Sequence, residues 1–218
     1  MKDNNAIRKK VINFIIIIFW IFVIGSVFGF FAEMMYALIY TRNIEIRKGL
    51  IYGPFIQVYG VGAVAYYLLI SKVKEPKDAF FYGMLMGGIL EYLGSFFQEI
   101  FFGTISWDYN DMFLNLNGRT CFLYCMYWGI IAVVFLKVVY PWLKKMESLI
   151  YKRNVRIITV FLMLFMTFDI VISCMAATRQ RERHSDISAD SSIDVFLDNY
   201  YPDELLDRIY NNKKEIKK

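Results

Sequence analysis

The sequence predicts an all-α fold, a polytopic membrane bundle of five transmembrane helices. Of its 218 residues, 57% are hydrophobic, against about 45–50% in an average soluble domain. The apolar residues form long blocks that contain few charges, as membrane spans do. The lysines and arginines behind the net charge of +5 gather at the ends of these blocks, where they suit phospholipid headgroups. We therefore expect a multi-pass protein of the cell membrane that contacts lipid and binds no nucleic acid.

Five apolar segments give the predicted spans. The first carries a single charge, Glu33, and follows a basic N-terminal tail of residues 1–10. In the second, we place Pro54 in the first helical turn, where its missing N–H costs nothing. The fourth is expected to stop at Pro141. The predicted spans are residues 11–40, 50–70, 79–102, 118–140 and 155–178.

The distribution of basic residues predicts the orientation. Twelve lie near span ends on the side of the N-terminus and seven on the other side, so the positive-inside rule places the N-terminus in the cytoplasm. Residues 179–218 form a polar C-terminal tail that begins as a flexible segment. It ends in one short amphipathic helix that Pro202 opens and lysines close. This helix is expected to lie on the membrane or to dock on the bundle.

Two residue patterns recur along the chain. The pattern Gly-x3-Gly-x3-Glu occurs in the first span and again in the third, 58 residues later. A pair of glycines eleven residues apart recurs at an offset of 69. We infer that spans one and two and spans three and four are duplicated hairpins, followed by a fifth helix. The matched positions are Gly25, Gly29 and Glu33 with Gly83, Gly87 and Glu91, and Gly49 and Gly60 with Gly118 and Gly129.

Small residues at this spacing allow two helices to approach closely, and chance convergence of such helices is the alternative to duplication. An acid on the same face as the glycines points toward protein and away from lipid. The predicted helix-packing residues are Gly25, Gly29, Gly53, Pro54, Gly60, Gly83, Gly87, Gly118 and Gly129.

The acids inside the spans are the main candidates for function. An ionisable group at this depth costs at least about 2.5 kcal/mol unless it is paired or neutral. One interpretation is a polar site between the hairpins that binds a substrate or a proton. The other is a structural pair, for example Glu91 with Arg119, that fixes helix register; we favour a structural role for Asp169. The candidates for the substrate path or polar core are Glu33, Glu91, Arg119, Gln57, Tyr52, Tyr59 and Asp169.

A polar, aromatic loop separates the third and fourth spans. Its aromatic side chains fit an interfacial belt, and its asparagines fit backbone caps before the fourth helix. Its two aspartates can accept hydrogen bonds, pair with Arg119 or coordinate a cation, and we favour caps and belt over metal binding. The loop residues concerned are Trp107, Asp108, Tyr109, Asp111, Asn115 and Asn117.

The inventory of reactive residues indicates no enzyme. The one histidine, His184, lies in the tail, so we predict no histidine-based metal site in the membrane. Cys121 and Cys125 are spaced as neighbours on one helix face, a poor geometry for a disulfide. No Ser-His, Cys-His or metal-ligand set is visible, and we predict no metal and no cofactor.

Several short motifs together resemble the ABC-transporter permease family of the CmpB type (type IV), over roughly residues 15–185. The resemblance implies a multi-pass membrane fold and a role in transport. One departure is Asn110, where the family pattern has serine. The residues that carry the resemblance are Arg47-x-Gly49-Leu50-x-Tyr52-Gly53-Pro54-Phe55, Tyr59-Gly60, Leu90-Glu91-Tyr92, Trp107-Asp108-Tyr109, Leu114 to Arg119, Trp128-Gly129, and Asp169 with Ser173.

The resemblance also implies partners. The chain has no phosphate-binding G-x-x-x-x-G-K-[ST] motif, so the ATPase of an ABC transporter would be a separate subunit. We expect that subunit to dock on Ser71–Asp78 and Trp142–Arg156, and we expect a homodimer because five spans are few for a pathway. The alternatives are a membrane enzyme acting on a lipid, with Glu91 or Asp108 as base, and an accessory membrane protein without transport.

Overall fold

Helices make up most of the chain in the computed structural model, which describes residues 2–43, 46–150 and 152–215. Within these residues, four helical segments are long and apolar enough to cross a membrane. They are Asn4–Ile39, Pro76–Phe102, Phe122–Met146 and Arg153–Arg183.

The described residues form eight α-helices and four strands. Four two-residue strands pair as β1 with β4 and β2 with β3, both antiparallel. The helices are α1 (Lys2–Thr41), α2 (Gln57–Leu69), α3 (Pro76–Phe102), α4 (Phe122–Val134), α5 (Tyr140–Ile150), α6 (Arg153–Arg183), α7 (Ser192–Tyr200) and α8 (Asp203–Ile209). The strands are β1 (Thr104–Ile105), β2 (Asn115–Leu116), β3 (Thr120–Cys121) and β4 (Lys214–Glu215).

The first hairpin pairs α1 with α2 in antiparallel fashion through glycine. A Cβ atom added at Gly25 would lie 2.6 Å from the Cβ of Ala63, and one at Gly29 would lie 2.4 Å from the ring of Tyr59. Only glycine permits this separation, because real Cβ atoms do not approach other heavy atoms so closely.

The second hairpin pairs α3 with α4 through the corresponding residues. A Cβ atom at Gly83 would lie 2.3 Å from the Cβ of Ala132, and one at Gly87 would lie 2.2 Å from Cγ of Trp128. Each contact repeats one of the first hairpin, displaced by 58 residues on the first helix and by 69 on the second. This agreement supports the inferred duplication.

The second predicted span, residues 50–70, is only partly helical. Helix α2 begins at Gln57 and has 13 residues, so it is about 20 Å long, short of a hydrocarbon core of about 30 Å. The chain before it is irregular: Gly53 has φ 73°, and Ile56 donates its N–H to the carbonyl of Ser26. Pro54 therefore does not open a helix, and the prediction of five full spans is not confirmed.

The predicted stop at Pro141 is wrong. Helical structure continues from α4 through a π-helical turn, Phe135–Val139, into α5, which contains Pro141. A proline inside an α-helix removes one hydrogen bond and clashes with the carbonyl four residues earlier. A wider turn just before it relieves this clash, so helical structure continues past the residue where it was expected to end.

The C-terminal tail, predicted to begin as a flexible segment, is folded against the end of α6. It contains two helices, not one, and α7 begins with a capping box formed by Ser191 and Asp194. Leu197, Tyr201 and Leu206 are buried in one apolar cluster with residues of α6 and with Ile51. Lysines are predicted to close the tail helix, and the last two of them, residues 217–218, lie outside the described residues.

Ion pairs hold the tail as well. Arg179 on α6 is 3% exposed and lies 2.9 Å from Asp198 on α7, and Arg183 lies 2.6 Å from the same carboxylate. Arg183 also contacts Asp203 at the start of α8. The charged residues whose abundance predicts a flexible tail therefore form ion pairs that hold the tail against α6.

Lowering the pH is expected to release the tail, but only below about pH 4. The hydrogen bonds from Arg179 and Arg183 hold the pKa of Asp198 below its usual 3.8. A carboxyl with a lowered folded-state pKa stabilises docking above its unfolded pKa, and that contribution disappears as the pH falls through the folded value. Protease resistance of the tail should therefore be constant between about pH 5 and 8 and decline below about pH 4.

Limited proteolysis in detergent at a series of pH values measures this release. The variant Asp198→Asn lacks the charge and should lose part of the protection at neutral pH. Exposed Glu204→Gln is the matched control and should behave as the wild type. Release of the wild-type tail with a midpoint near pH 6 would contradict the assignment to Asp198.

Candidate functional site

A cavity of about 1130 Å³ lies between the two hairpins, the end of α6 and the C-terminal tail. Four predicted path residues line it: the acids Glu33 on α1 and Glu91 on α3, and Gln57 and Tyr59 at the start of α2. The loop residues Trp107, Asp108, Tyr109 and Asp111 also line it. The inferred common polar centre of the hairpins therefore corresponds to one continuous space.

Glu33 reaches the cavity from α1 and has both a neutral and a charged partner. The hydroxyl of Tyr59 donates to its carboxylate at 2.8 Å. The guanidinium of Arg47 lies 3.6 Å away, and both charged side chains are largely buried. The negative charge of Glu33 is thus compensated by the segment between α1 and α2.

Glu91 reaches the cavity from α3 and is 6% exposed. Tyr109 donates to one carboxylate oxygen at 3.0 Å and Thr120 to the other at 2.8 Å. The side chain of Trp128 also approaches this carboxyl. Burial and the proximity of Glu91 raise the pKa of Tyr109, so its hydroxyl remains a donor. Both hydroxyl donors are neutral.

The predicted pairing of Arg119 with Glu91 is wrong. Arg119 forms an ion pair with Glu99, two turns further along α3. Its guanidinium also packs 5.8 Å from the ring centre of Tyr92 and 5.4 Å from that of Phe96, within the range of cation–π attraction. Arg119 thus holds the loop against the end of α3 and does not line the cavity.

Asp169 and Tyr52 lie away from the cavity, in a contact between α6 and the segment before α2. Asp169 is fully buried and accepts hydrogen bonds from the Tyr52 N–H at 3.1 Å and from Ser173 at 3.2 Å. The Tyr52 hydroxyl lies 2.9 Å from that of Tyr201 in the tail. These contacts fix irregular backbone and favour the structural role for Asp169.

The loop residues Asn115 and Asn117 do not cap α4, because its N-cap is Cys121 and has no side-chain cap bond. They close the β2–β3 hairpin instead: Asn115 accepts the Gly118 N–H at 3.1 Å, and Asn117 has φ 52°. Gly118, with φ 66°, serves this turn. It is not a helix-packing residue.

The hairpin in turn positions the cavity wall. The indole N–H of Trp107 donates to the Arg119 carbonyl at 2.8 Å, and the Tyr109 N–H donates to the Gly118 carbonyl at 2.8 Å. Asp108 accepts two bonds from Asn110, at 3.1 and 2.8 Å. Loop geometry therefore places Tyr109 over Glu91.

Several site residues are absent from the sequence-based prediction. Thr120 donates to Glu91, Trp128 lines the cavity, and Gln180, Arg181 and Lys213 bring α6 and the tail to it. Trp128 could have been found, since it follows Tyr59 at the repeat offset of 69 and packs on Gly87 as Tyr59 packs on Gly29. The tail residues carry no such signal.

The fold and the site define a multi-pass α-helical membrane protein with a polar cavity between paired hairpins. A family model described as "Putative ABC-transporter type IV" matches residues 20–174. The chain therefore belongs to this CmpB-type family and is a membrane protein related to ABC transporters. Neither the curated proteins nor the solved structures that were compared contain a match.

Proposed function

We propose that this chain is the permease subunit of an ABC-type transporter and that its substrate passes through the cavity between the hairpins. The observation that carries the proposal is the cavity of about 1130 Å³ with a buried acid from each hairpin on its wall. Ionisable residues inside membrane bundles are costly and typically mark substrate or ion pathways. The family membership supports the same function.

The geometry gives less support to the lipid enzyme and to the purely structural protein. Asp108 is bonded within its own loop, and Arg119 is paired with Glu99, so neither is poised to act on a lipid phosphate. If the acids had only a structural role, packed side chains would occupy the space around them. Here the acids line a cavity large enough for a small substrate.

The proposed organisation follows the predicted ranges. Residues 1–10 are cytoplasmic, residues 11–178 form the transmembrane bundle of the cell membrane, and residues 179–218 cap it on the outer side. In this arrangement α2 returns the chain to the cytoplasmic side despite its short length. Two copies of the subunit, together with a separate ATPase, would complete the transporter.

Co-purification tests the permease function. Affinity-tagged protein from native membranes, cross-linked before extraction, should retain an ATPase that contains a phosphate-binding loop. Reversing the charges of Lys72 and Lys74, in the proposed docking segment Ser71–Asp78, should weaken this association. The matched control reverses the exposed Arg208 on α8. Recovery of no ATPase with any form of the protein would overturn the proposal.

A further inference from the structure

The two acids of the cavity occupy equivalent positions in the two hairpins, but only one of them has a cationic partner. Glu33 has the guanidinium of Arg47 at 3.6 Å. Among the described residues, Glu91 forms no ion pair and is held by two neutral hydroxyl donors. The position equivalent to Arg47 at the offset of 69 is Leu116, which is 57% exposed. The second hairpin therefore lacks the cation that the first one supplies.

Two of the cations that line the cavity, Arg181 and Lys213, are engaged in hydrogen bonds, and a third, Lys48, interacts electrostatically with Asp169. Arg181 donates to the carbonyls of Ile100 and Phe101 at the end of α3, at 2.8 and 2.9 Å. Lys213 donates to Gln180. A ligand that brings its own positive charge would compensate Glu91 without displacing any of these contacts.

The walls beside Glu91 are aromatic. Tyr109 and Tyr124 stack with ring centres 4.3 Å apart, and Tyr127 packs edge-on against Tyr124 at 5.7 Å. Tyr59 and Trp128, from the two hairpins, have ring centres 6.1 Å apart. The faces of such rings attract cations, and aromatic cages of this kind recognise alkylated ammonium groups.

We propose that the cavity binds a small organic cation, an amine or alkylated ammonium group, whose charge lies at Glu91 and whose carbon atoms contact the tyrosine rings. The inference deepens the proposed function, since the ligand would be the transported substrate. It concerns binding alone, so it does not depend on the ATPase.

Calorimetric titration of the full-length protein in lipid nanodiscs tests this proposal. The probes are tetramethylammonium, choline and ethanolamine. Two compounds of similar shape to choline serve for comparison: 3,3-dimethylbutan-1-ol, which is uncharged, and 3,3-dimethylbutyrate, which is an anion. We expect the ammonium probes to bind with dissociation constants below about 10 mM and at least about tenfold more tightly than either analogue.

Variants locate the binding in this cavity. Glu91→Gln should weaken choline binding about tenfold or more, and Glu91→Asp, which keeps the charge, should restore part of it. Tyr127→Leu should weaken binding while Tyr127→Phe, which keeps the ring, should not. Glu204→Gln, at an exposed position of α8, is the matched control. Thermal unfolding of each variant separates lost binding from lost folding.

Equal binding of the neutral analogue, preferred binding of the anion, or unchanged affinity in folded Glu91→Gln would each overturn the proposal. So would the absence of binding by all three ammonium probes. These results are distinct from those of the co-purification. An ATPase without ammonium binding overturns this inference alone, and ammonium binding without an ATPase overturns the permease function alone.

Discussion

Replacing Glu91 by glutamine is expected to abolish transport while membrane insertion remains normal. The carboxylate accepts hydrogen bonds from Tyr109 and Thr120. A glutamine amide oxygen can keep one of these bonds, and the other hydroxyl can rotate to accept a bond from the amide NH₂ group. The substitution therefore removes the charge while the local hydrogen bonds can be satisfied.

The measurement is complementation of a strain that lacks the gene, with the membrane level of each variant followed by immunoblot. Glu91→Gln should behave as an empty vector at wild-type abundance, and Glu204→Gln should complement fully. Full complementation by Glu91→Gln would show that the path does not depend on this acid. Loss of the protein from the membrane would instead assign Glu91 to folding.

The variant Gly87→Ala is expected to destabilise the bundle by about 1–3 kcal/mol, as overpacking of a tight contact does. The new Cβ would lie 2.2 Å from Cγ of Trp128, so the indole ring must move. Because Trp128 also lines the cavity, the same displacement disturbs the cavity wall. The thermal unfolding midpoint in detergent, monitored by tryptophan fluorescence, measures the effect.

Two other glycines provide the comparison. Gly29→Ala should cost a similar amount, since its Cβ would lie 2.4 Å from the ring of Tyr59 in the equivalent contact. Gly94→Ala, on the same helix as Gly87, meets no atom closer than 3.8 Å. Alanine has the higher helix propensity by about 1 kcal/mol, so this variant should be neutral or stabilised. A loss as large as that of Gly87→Ala would contradict the packing explanation.

The features that are local in sequence could be predicted. Apolar blocks identify helices that suit a membrane, and the spacing of Gly83, Gly87 and Glu91 places them on one helix face. The recurrence of this pattern around Glu33 then indicates which helices pair. The position of both acids on one cavity follows from the same pattern, because glycine contacts turn these faces toward protein.

The features that depend on distant partners could not be predicted. Arg119 can reach either Glu91 or Glu99 by sequence spacing, and the β2–β3 hairpin decides in favour of Glu99. The segment before α2 is irregular because Asp169 and Ser173, more than a hundred residues away, bind its backbone N–H groups. The tail folds because its carboxylates meet arginines on α6, whereas its composition alone is typical of disorder.

The central claim is that the acids face a shared, hydrated cavity, and Cys174 on α6 lies on its wall. With Cys121 and Cys125 replaced by alanine, Cys174 can be treated with a membrane-impermeant thiol reagent. The control is Leu85→Cys on a cysteine-free background, because Leu85 is 67% exposed on α3 and does not line the cavity.

Thiol reagents of this kind react with the thiolate, which forms in water and not in lipid. The account predicts that Cys174 reacts at least about tenfold faster than the cysteine at position 85. Equally slow reaction of both cysteines with the reagent would contradict the account. Cys174 would then face lipid or packed protein, and no water-filled space would lead to Glu91.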